Sequence, residues 1–177
     1  MKRELPLADV YTVLEPGPVV LLSTSRQGVA NVMTMSWHVM MEFEPPLVGC
    51  VVSETSHSFA ALDETGECVL NVPTVELADK VVSCGNASGR TVDKFKAFGL
   101  TAKPAAKVAA PLVGECYANL ECQVRDRQMV TPYNFFVLEV VKAWHDPAVT
   151  RPETLHHRGY GRFMVAGREI VLPSAMR

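Results

Sequence analysis

The sequence predicts a β-rich α+β domain. Short apolar or alternating segments of strand length recur along the chain, and turn residues separate them. The helical stretches between them are brief and irregularly placed, unlike the regular βαβ alternation of a doubly wound fold. Residues 19–25 and 29–41 are expected as strands around Arg26-Gln27-Gly28, a short polar link with the glycine that hairpin turns favour. In the second strand a period of two puts Val32, Thr34, Ser36 and His38 on one face and Met33, Met35, Trp37, Val39 and Met41 on the other, so one face can hydrogen-bond while the other packs. After Pro45-Pro46 the continuously apolar run 47–52 predicts a buried strand. A helix is expected at 58–65, ended by Gly66, and a strand at 68–72. Thr74 is placed to cap a helix running to Val82, and Thr91 one running to Phe98 with Gly99 just past its end. The Ala-, Lys- and Pro-rich stretch 101–111 reads as a surface loop. Residues 118–124 and 135–144 alternate and are rich in β-branched or aromatic residues, as strands are, and a final pair is expected around Ala166-Gly167. No repeat or linker interrupts the pattern, so residues 1–177 are expected to form one domain.

Composition removes several function classes. With 48% hydrophobic and 20% charged residues, a 177-residue chain can bury about 70% of its unfolded surface. A net charge of −2, with 17 scattered Lys and Arg, supplies no basic stripe for nucleic acid. The N-terminal segment Met1-Lys2-Arg3-Glu4 lacks the apolar core of a signal peptide, and the apolar runs 19–22 and 47–52 are too short to span a bilayer. A cytoplasmic protein with no membrane partner is expected. The cysteines at 50, 68, 84, 116 and 122 are odd in number and include no Cys-x-x-Cys pair, which predicts free thiols; Cys84, beside Gly85 and Asn86, is the one with local room for exposure. His38, His57, His145, His156 and His157 have no metal-ligand spacing.

Two nucleotide motifs fail on inspection. Gly159-Tyr160-Gly161-Arg162-Phe163-Met164 lacks the third glycine of a dinucleotide fingerprint and precedes no predicted helix. Gly85-Asn86-Ala87-Ser88-Gly89-Arg90-Thr91 is one residue short of a phosphate loop and has arginine in place of its lysine. The cluster Ser53-Glu54-Thr55-Ser56-His57-Ser58 lies just before a helix start, where hydroxyls serve as caps and where free N–H groups also favour an anion, most often a phosphate.

Five pieces in order carry a family resemblance: Asn31 to Trp37, Glu44-Pro45-Pro46, the Ser53 to Ser58 cluster, Ser88-Gly89-Arg90 with Asp93-Lys94-Phe95, and His156 to Phe163. Together the sequence resembles the flavin-reductase-like, flavoredoxin-type proteins, which implies an FMN-binding split β-barrel with short inserted helices. The resemblance implies that Ser53, Ser56, His57 and Ser58 hold the flavin phosphate with Lys94 supplying positive charge. It also implies that Thr34 and Ser36 bond the polar edge of the isoalloxazine ring, with Asn31, Trp37 and Phe163 packed beside it. Read without the family, the same residues are a helix cap, an exposed helix lysine, an ordinary barrel strand and core aromatics. His38 faces the same way as Thr34 and Ser36 and is read as a structural histidine. No catalytic residue of the protein's own is expected, since a flavin accepts the hydride itself.

The function implied is an FMN-binding oxidoreductase, with FAD possible, most simply an NAD(P)H:flavin oxidoreductase that works as a homodimer. The alternative is a flavoredoxin-like electron carrier reduced by a redox protein partner without using NADH or NADPH. A barrel that binds another ligand, or none, is the third reading.

Overall fold

Residues 3–10 and 17–174 are described by the computed structural model. Two strands open the barrel, β2 (Val20–Arg26) and β3 (Val29–Met35), after a short β1 (Arg3–Glu4). Gln27 (φ 52°) and Gly28 (φ 79°) both take left-handed conformations, the two-residue turn whose twist matches paired strands. The expected single strand 29–41 is broken at Ser36-Trp37, and the chain resumes as β4 (His38–Phe43) followed by β5 (Pro46–Val51). The ladder runs β3-β2 and on through β6 (Glu67–Val72), β9 (Ala118–Asp126) and β10 (Phe135–His145) to β5-β4, with β1 on the far part of β10. Consecutive strands β3 and β4 thus stand at opposite ends of one sheet, joined by two residues. No ladder links them among the described residues, and this gap is the split in the barrel.

The helices are α1 (His57–Thr65), α2 (Ala78–Asn86), α3 (Lys94–Ala97) and α4 (Val130–Tyr133). Ser56 caps α1 by accepting from the Phe59 N–H, and Gly66 ends it at φ 68°. The helix expected from Thr74 begins instead as a 3₁₀ turn at Val75–Leu77 without a side-chain cap, and α2 continues past Val82 to Asn86. The helix expected from Thr91 shrinks to α3, because Asp93 accepts from the Lys96 N–H and starts it three residues on. The 101–111 stretch is not wholly loop: β7 (Ala102–Lys103) pairs with β8 (Leu112–Val113). The last hairpin is β11 (Leu155–His157) with β12 (Phe163–Val165), so its turn lies at 158–162 and not around Ala166-Gly167.

Two cores explain the apolar run at the start of β2. Val20 and Leu22 point into the barrel with Met35, Cys50, Cys68, Leu70, Cys122 and Phe136. Val19 and Leu21 point the other way, packing with Val32 against Val81 and Cys84 of α2 and Phe95 of α3. A strand covered on both faces needs apolar residues at successive positions, each worth about 1.5–3 kcal/mol when fully buried. The expectation of one packing and one hydrogen-bonding face on the 29–41 segment is therefore corrected: Met33 packs with the barrel core, Val32 with the helices, and beyond the break Val39 and Met41 are exposed. Cys84, expected to have room for exposure, is buried like the other four cysteines. No helix among the described residues is long and apolar enough to cross a membrane.

Candidate functional site

As the end strand of the sheet, β3 leaves one edge free. Its pairing with β2 runs from Arg26↔Val29 at the tight turn to Val20↔Met35, and in such a hairpin the closing pair exchanges hydrogen bonds. Alternate residues Asn31, Met33 and Met35 therefore bond to β2, while Ala30, Val32 and Thr34 turn their N–H and C=O groups to the open edge. Two hollows lie along that edge. The first, about 310 Å³, runs between Asn31, the start of α1 at Ser56 to Ser58, the 84–89 stretch that ends α2, and Lys94. The second, about 270 Å³, is bounded by Met35, Ser36, Val82, His157, Gly161 and Phe163. Thr34, Gly85 and Asn86 line both, so they form one trough over the strand edge.

The first hollow is polar and tightly braced. Asn31 Nδ2 donates to Ser58 Oγ at 2.8 Å, both residues being buried. The first-turn N–H groups of α1 at His57 and Ser58 have no intrahelical acceptor and open toward this space. Gly89 brings bare backbone against the opposite wall: a Cβ there would collide with Asn31 Oδ1 and stand 2.6 Å from His57 Cδ2. Lys94 is only 4% exposed, and its Nζ donates to the Cys84 carbonyl at 2.7 Å. Burial lowers its pKa from the ordinary lysine value, with the Cys84 thiol pulling the other way. Burial likewise raises the Cys84 thiol, against Lys94 and Lys80, so it stays protonated at neutral pH. An ammonium with one donor engaged at the Cys84 carbonyl, beside helix N–H groups, makes this end chemically suited to an anion.

The second hollow is flatter and less braced. Thr34 Oγ1 donates to the Val81 carbonyl at 2.5 Å, so its backbone is freer than its hydroxyl for a ligand. His157 and Phe163, paired across β11 and β12, hold their rings 5.3 Å apart at 50°.

Asn31, Thr34, Ser36, Ser56, His57, Ser58, Lys94 and Phe163 are thus brought to one trough. Ser53 is not: it is exposed, and its hydroxyl is engaged with Thr55 in a local turn, leaving Thr55 in the lining. Trp37 is 71% exposed at the strand break and lines neither hollow. His38 bonds the Pro18 carbonyl through Nε2 at 2.7 Å, and burial lowers its pKa, as befits a neutral structural histidine. Sequence reasoning did not single out the 84–89 wall or His157 as site residues. The signal was present in Gly85 and Gly89, two glycines four apart beside Ser88, in the stretch set aside as a failed phosphate loop. Another hollow, about 880 Å³, lies elsewhere, between Tyr117, Arg151, Thr154 and Arg168. Burial there pushes the Tyr117 phenol up to about 12.

Residues 13–164 match the family model of the flavin reductase like domain. The chain belongs to this family. An uncharacterized protein from Archaeoglobus fulgidus is 36% identical over 118 residues, covering 67% of each chain. Among solved structures, the FMN-binding domain of a flavin reductases-like enzyme from Shewanella baltica OS155 superposes with a TM-score of 0.92, at 27% identity, over 98% of both chains. The flavoredoxin of Desulfovibrio vulgaris (Miyazaki F) shares the fold at a TM-score of 0.80 and 21% identity, over 88% of this flavin-reductase-like chain and 90% of its own. The split barrel expected from the resemblance is the fold found.

Proposed function

We propose that this flavin-reductase-like chain is an FMN-dependent oxidoreductase, an NAD(P)H:flavin oxidoreductase that passes electrons to free flavin or to a protein acceptor. The observation that carries this is the trough over the free edge of β3, with a buried ammonium and helix N–H groups at one end and an aromatic pair at the other. The residues present fit FMN. A phosphate is met by Lys94, the N–H groups of His57 and Ser58, the Ser56 hydroxyl and the bare backbone at Gly89, where any side chain would fill the space. The ring is met by the open backbone of Val32 and Thr34, by Ser36, and by Phe163 and His157 at its side. Bound flavin supplies the hydride-accepting chemistry, and the protein binds, orients and shields it. Under anaerobic conditions NADH or NADPH is expected to bleach the flavin band near about 450 nm of the FMN-loaded protein. Bound FMN that neither nucleotide bleaches would replace this reading with a flavoredoxin-like electron carrier reduced by a protein partner.

The same reading includes a homodimer. Trp37, Val39, Met41 and Phe43 are exposed along the strand break and β4, the other free end of the sheet. Cross-strand from them, Phe135 lies over Gly49, where a Cβ would meet its ring and Met41 Sδ. This apolar sheet face is extensive for a monomer, and a two-fold seam covers it. Light scattering on the holoprotein is expected to give twice the chain mass of 19.4 kDa, and a monomer mass at micromolar concentration would refute the dimer.

A further inference from the structure

We propose that the tip of the β11–β12 hairpin, residues 158–162, is an arm that binds the nucleotide half of the hydride donor, an adenosine diphosphate group. The proposal rests on the NAD(P)H reading above and identifies where the donor is recognised in a chain without a dinucleotide glycine fingerprint.

The register Leu155↔Val165, His156↔Met164, His157↔Phe163 continues one step further. Arg158 N–H donates to the Arg162 carbonyl at 2.8 Å, and Arg162 N–H to the Gly159 carbonyl at 3.0 Å. The two arginines therefore stand opposite one another, on the ribbon face away from His157 and Phe163, with Gly159, Tyr160 and Gly161 as the turn. All three turn residues have positive φ: 83°, 51° and 70°. Glycine adopts that conformation freely, but a bulky aromatic does not, and Tyr160 is held there while fully exposed to solvent. An aromatic that is strained and buries nothing has no packing reason within its own chain. Gly161 lines the ring hollow beside His157 and Phe163, so this turn forms the rim of the trough.

Charge points the same way. The chain as a whole is at −2, yet residues 151–168 carry four arginines against one glutamate. Neither the Arg158 nor the Arg162 guanidinium has a carboxylate partner among the described residues. Paired planar guanidinium groups match phosphate oxygens two at a time, and an open tyrosine ring offers a stacking face to a base. In this pose the nicotinamide enters the ring hollow and the rest of the donor passes over the Gly161 rim, with its diphosphate reaching the arginines on the far face of the ribbon and its adenine lying against Tyr160.

The test uses the FMN-loaded protein and the double variant Arg158→Gln, Arg162→Gln. The expected result is a KM for NADH or NADPH raised at least tenfold with kcat unchanged, and an unchanged FMN affinity that also reports an intact fold. ADP-ribose should inhibit the wild type competitively and the double variant at least tenfold more weakly, and Tyr160→Gly should weaken it by a smaller factor. An unchanged KM and ADP-ribose inhibition would overturn the arm while leaving the NAD(P)H reading standing. Loss of FMN affinity in step with KM would reassign the arginines to the cofactor site. A fall in holoprotein mass would reassign the tip to a subunit contact, and slower reduction by a protein reductant with KM unchanged would reassign it to a protein partner. If neither nucleotide bleaches the FMN-loaded wild type, the parent reading fails and the arm falls with it.

Discussion

At the Lys94 end of the trough each wall is tied to another element: Asn31 of β3 to Ser58 of α1, Lys94 of α3 to the carbonyl of Cys84 in α2, Ser56 to the α1 backbone. At the Phe163 end the wall is a hairpin of three-residue strands, joined to the rest by backbone bonds such as Val19 N–H to the Leu155 carbonyl and Val75 N–H to the Glu153 carbonyl just before it. Leu155 is buried at its base, whereas Tyr160, Met164 and Val165 are exposed along it. Dense bracing preorganises one end; sparse burial leaves the other free to open at low cost. The difference teaches a division of labour. The braced end suits a cofactor that stays, and the loosely held end suits partners that come and go.

Lys94→Met breaks the comparison at its strongest point. Loss of a charge-assisted contact of about 1.5–3 kcal/mol is expected to weaken FMN about tenfold to a hundredfold and to spare riboflavin, which has no phosphate. Fluorescence-quenching titrations with both flavins check this, and an equal loss for the two would reduce Lys94 to a packing residue. The same site carries a pH signature. Because burial lowers the Lys94 pKa, the free protein loses this charge at a lower pH than an ordinary lysine does. Binding the phosphate above that pKa requires taking up a proton, so the advantage of FMN over riboflavin should shrink as the pH rises into the alkaline range. On the acid side it should decline again below about pH 6, where the phosphate monoester itself takes up a proton.

Gly89→Ala probes the same end by volume. Its Cβ would collide with the His57 side chain and with that of Asn31, which is tied to Ser58, and overpacking of this kind costs about 1–3 kcal/mol. FMN affinity is expected to fall about tenfold, with the apoprotein still folded by circular dichroism; wild-type affinity would move the phosphate away from this wall. The smallest effect is expected at the loose end. Phe163→Ala removes one aromatic contact worth about 0.5–1.5 kcal/mol and should weaken FMN and riboflavin alike, by a few-fold. A loss confined to FMN would invert the assignment of the two ends.

Much of this arrangement is legible in the chain, and the misses share a cause. The helix at Ser56 to Thr65, its cap and its glycine stop are local signals, settled within a few residues. So is the Gln27-Gly28 turn. The split at Ser36-Trp37 was not legible, because alternation continues across it and only closure of the sheet forces the chain to turn there. Lys94 reads as an exposed helix lysine until α2 folds over it, and Ser53 reads like its neighbours until a local turn takes its hydroxyl. The last hairpin was misplaced because Gly159, Gly161 and Gly167 are all acceptable turn residues, and pairing of Leu155 with Val165 selects among them.

The sequence by itself determined the β-rich class, the family, the first hairpin and the helix cap, since period, turn chemistry and capping act between neighbours. Tertiary structure alone decided that β3 and β4 part to opposite ends of the sheet, that an unpaired backbone edge faces a trough, and that Gly89, Asn31 and Lys94 meet across it. Those contacts join residues up to 63 positions apart, and no local propensity encodes them. They follow from which faces must be buried: β2 is covered on both sides, β3 is left at the end, and the helices that cover them bring the polar walls together.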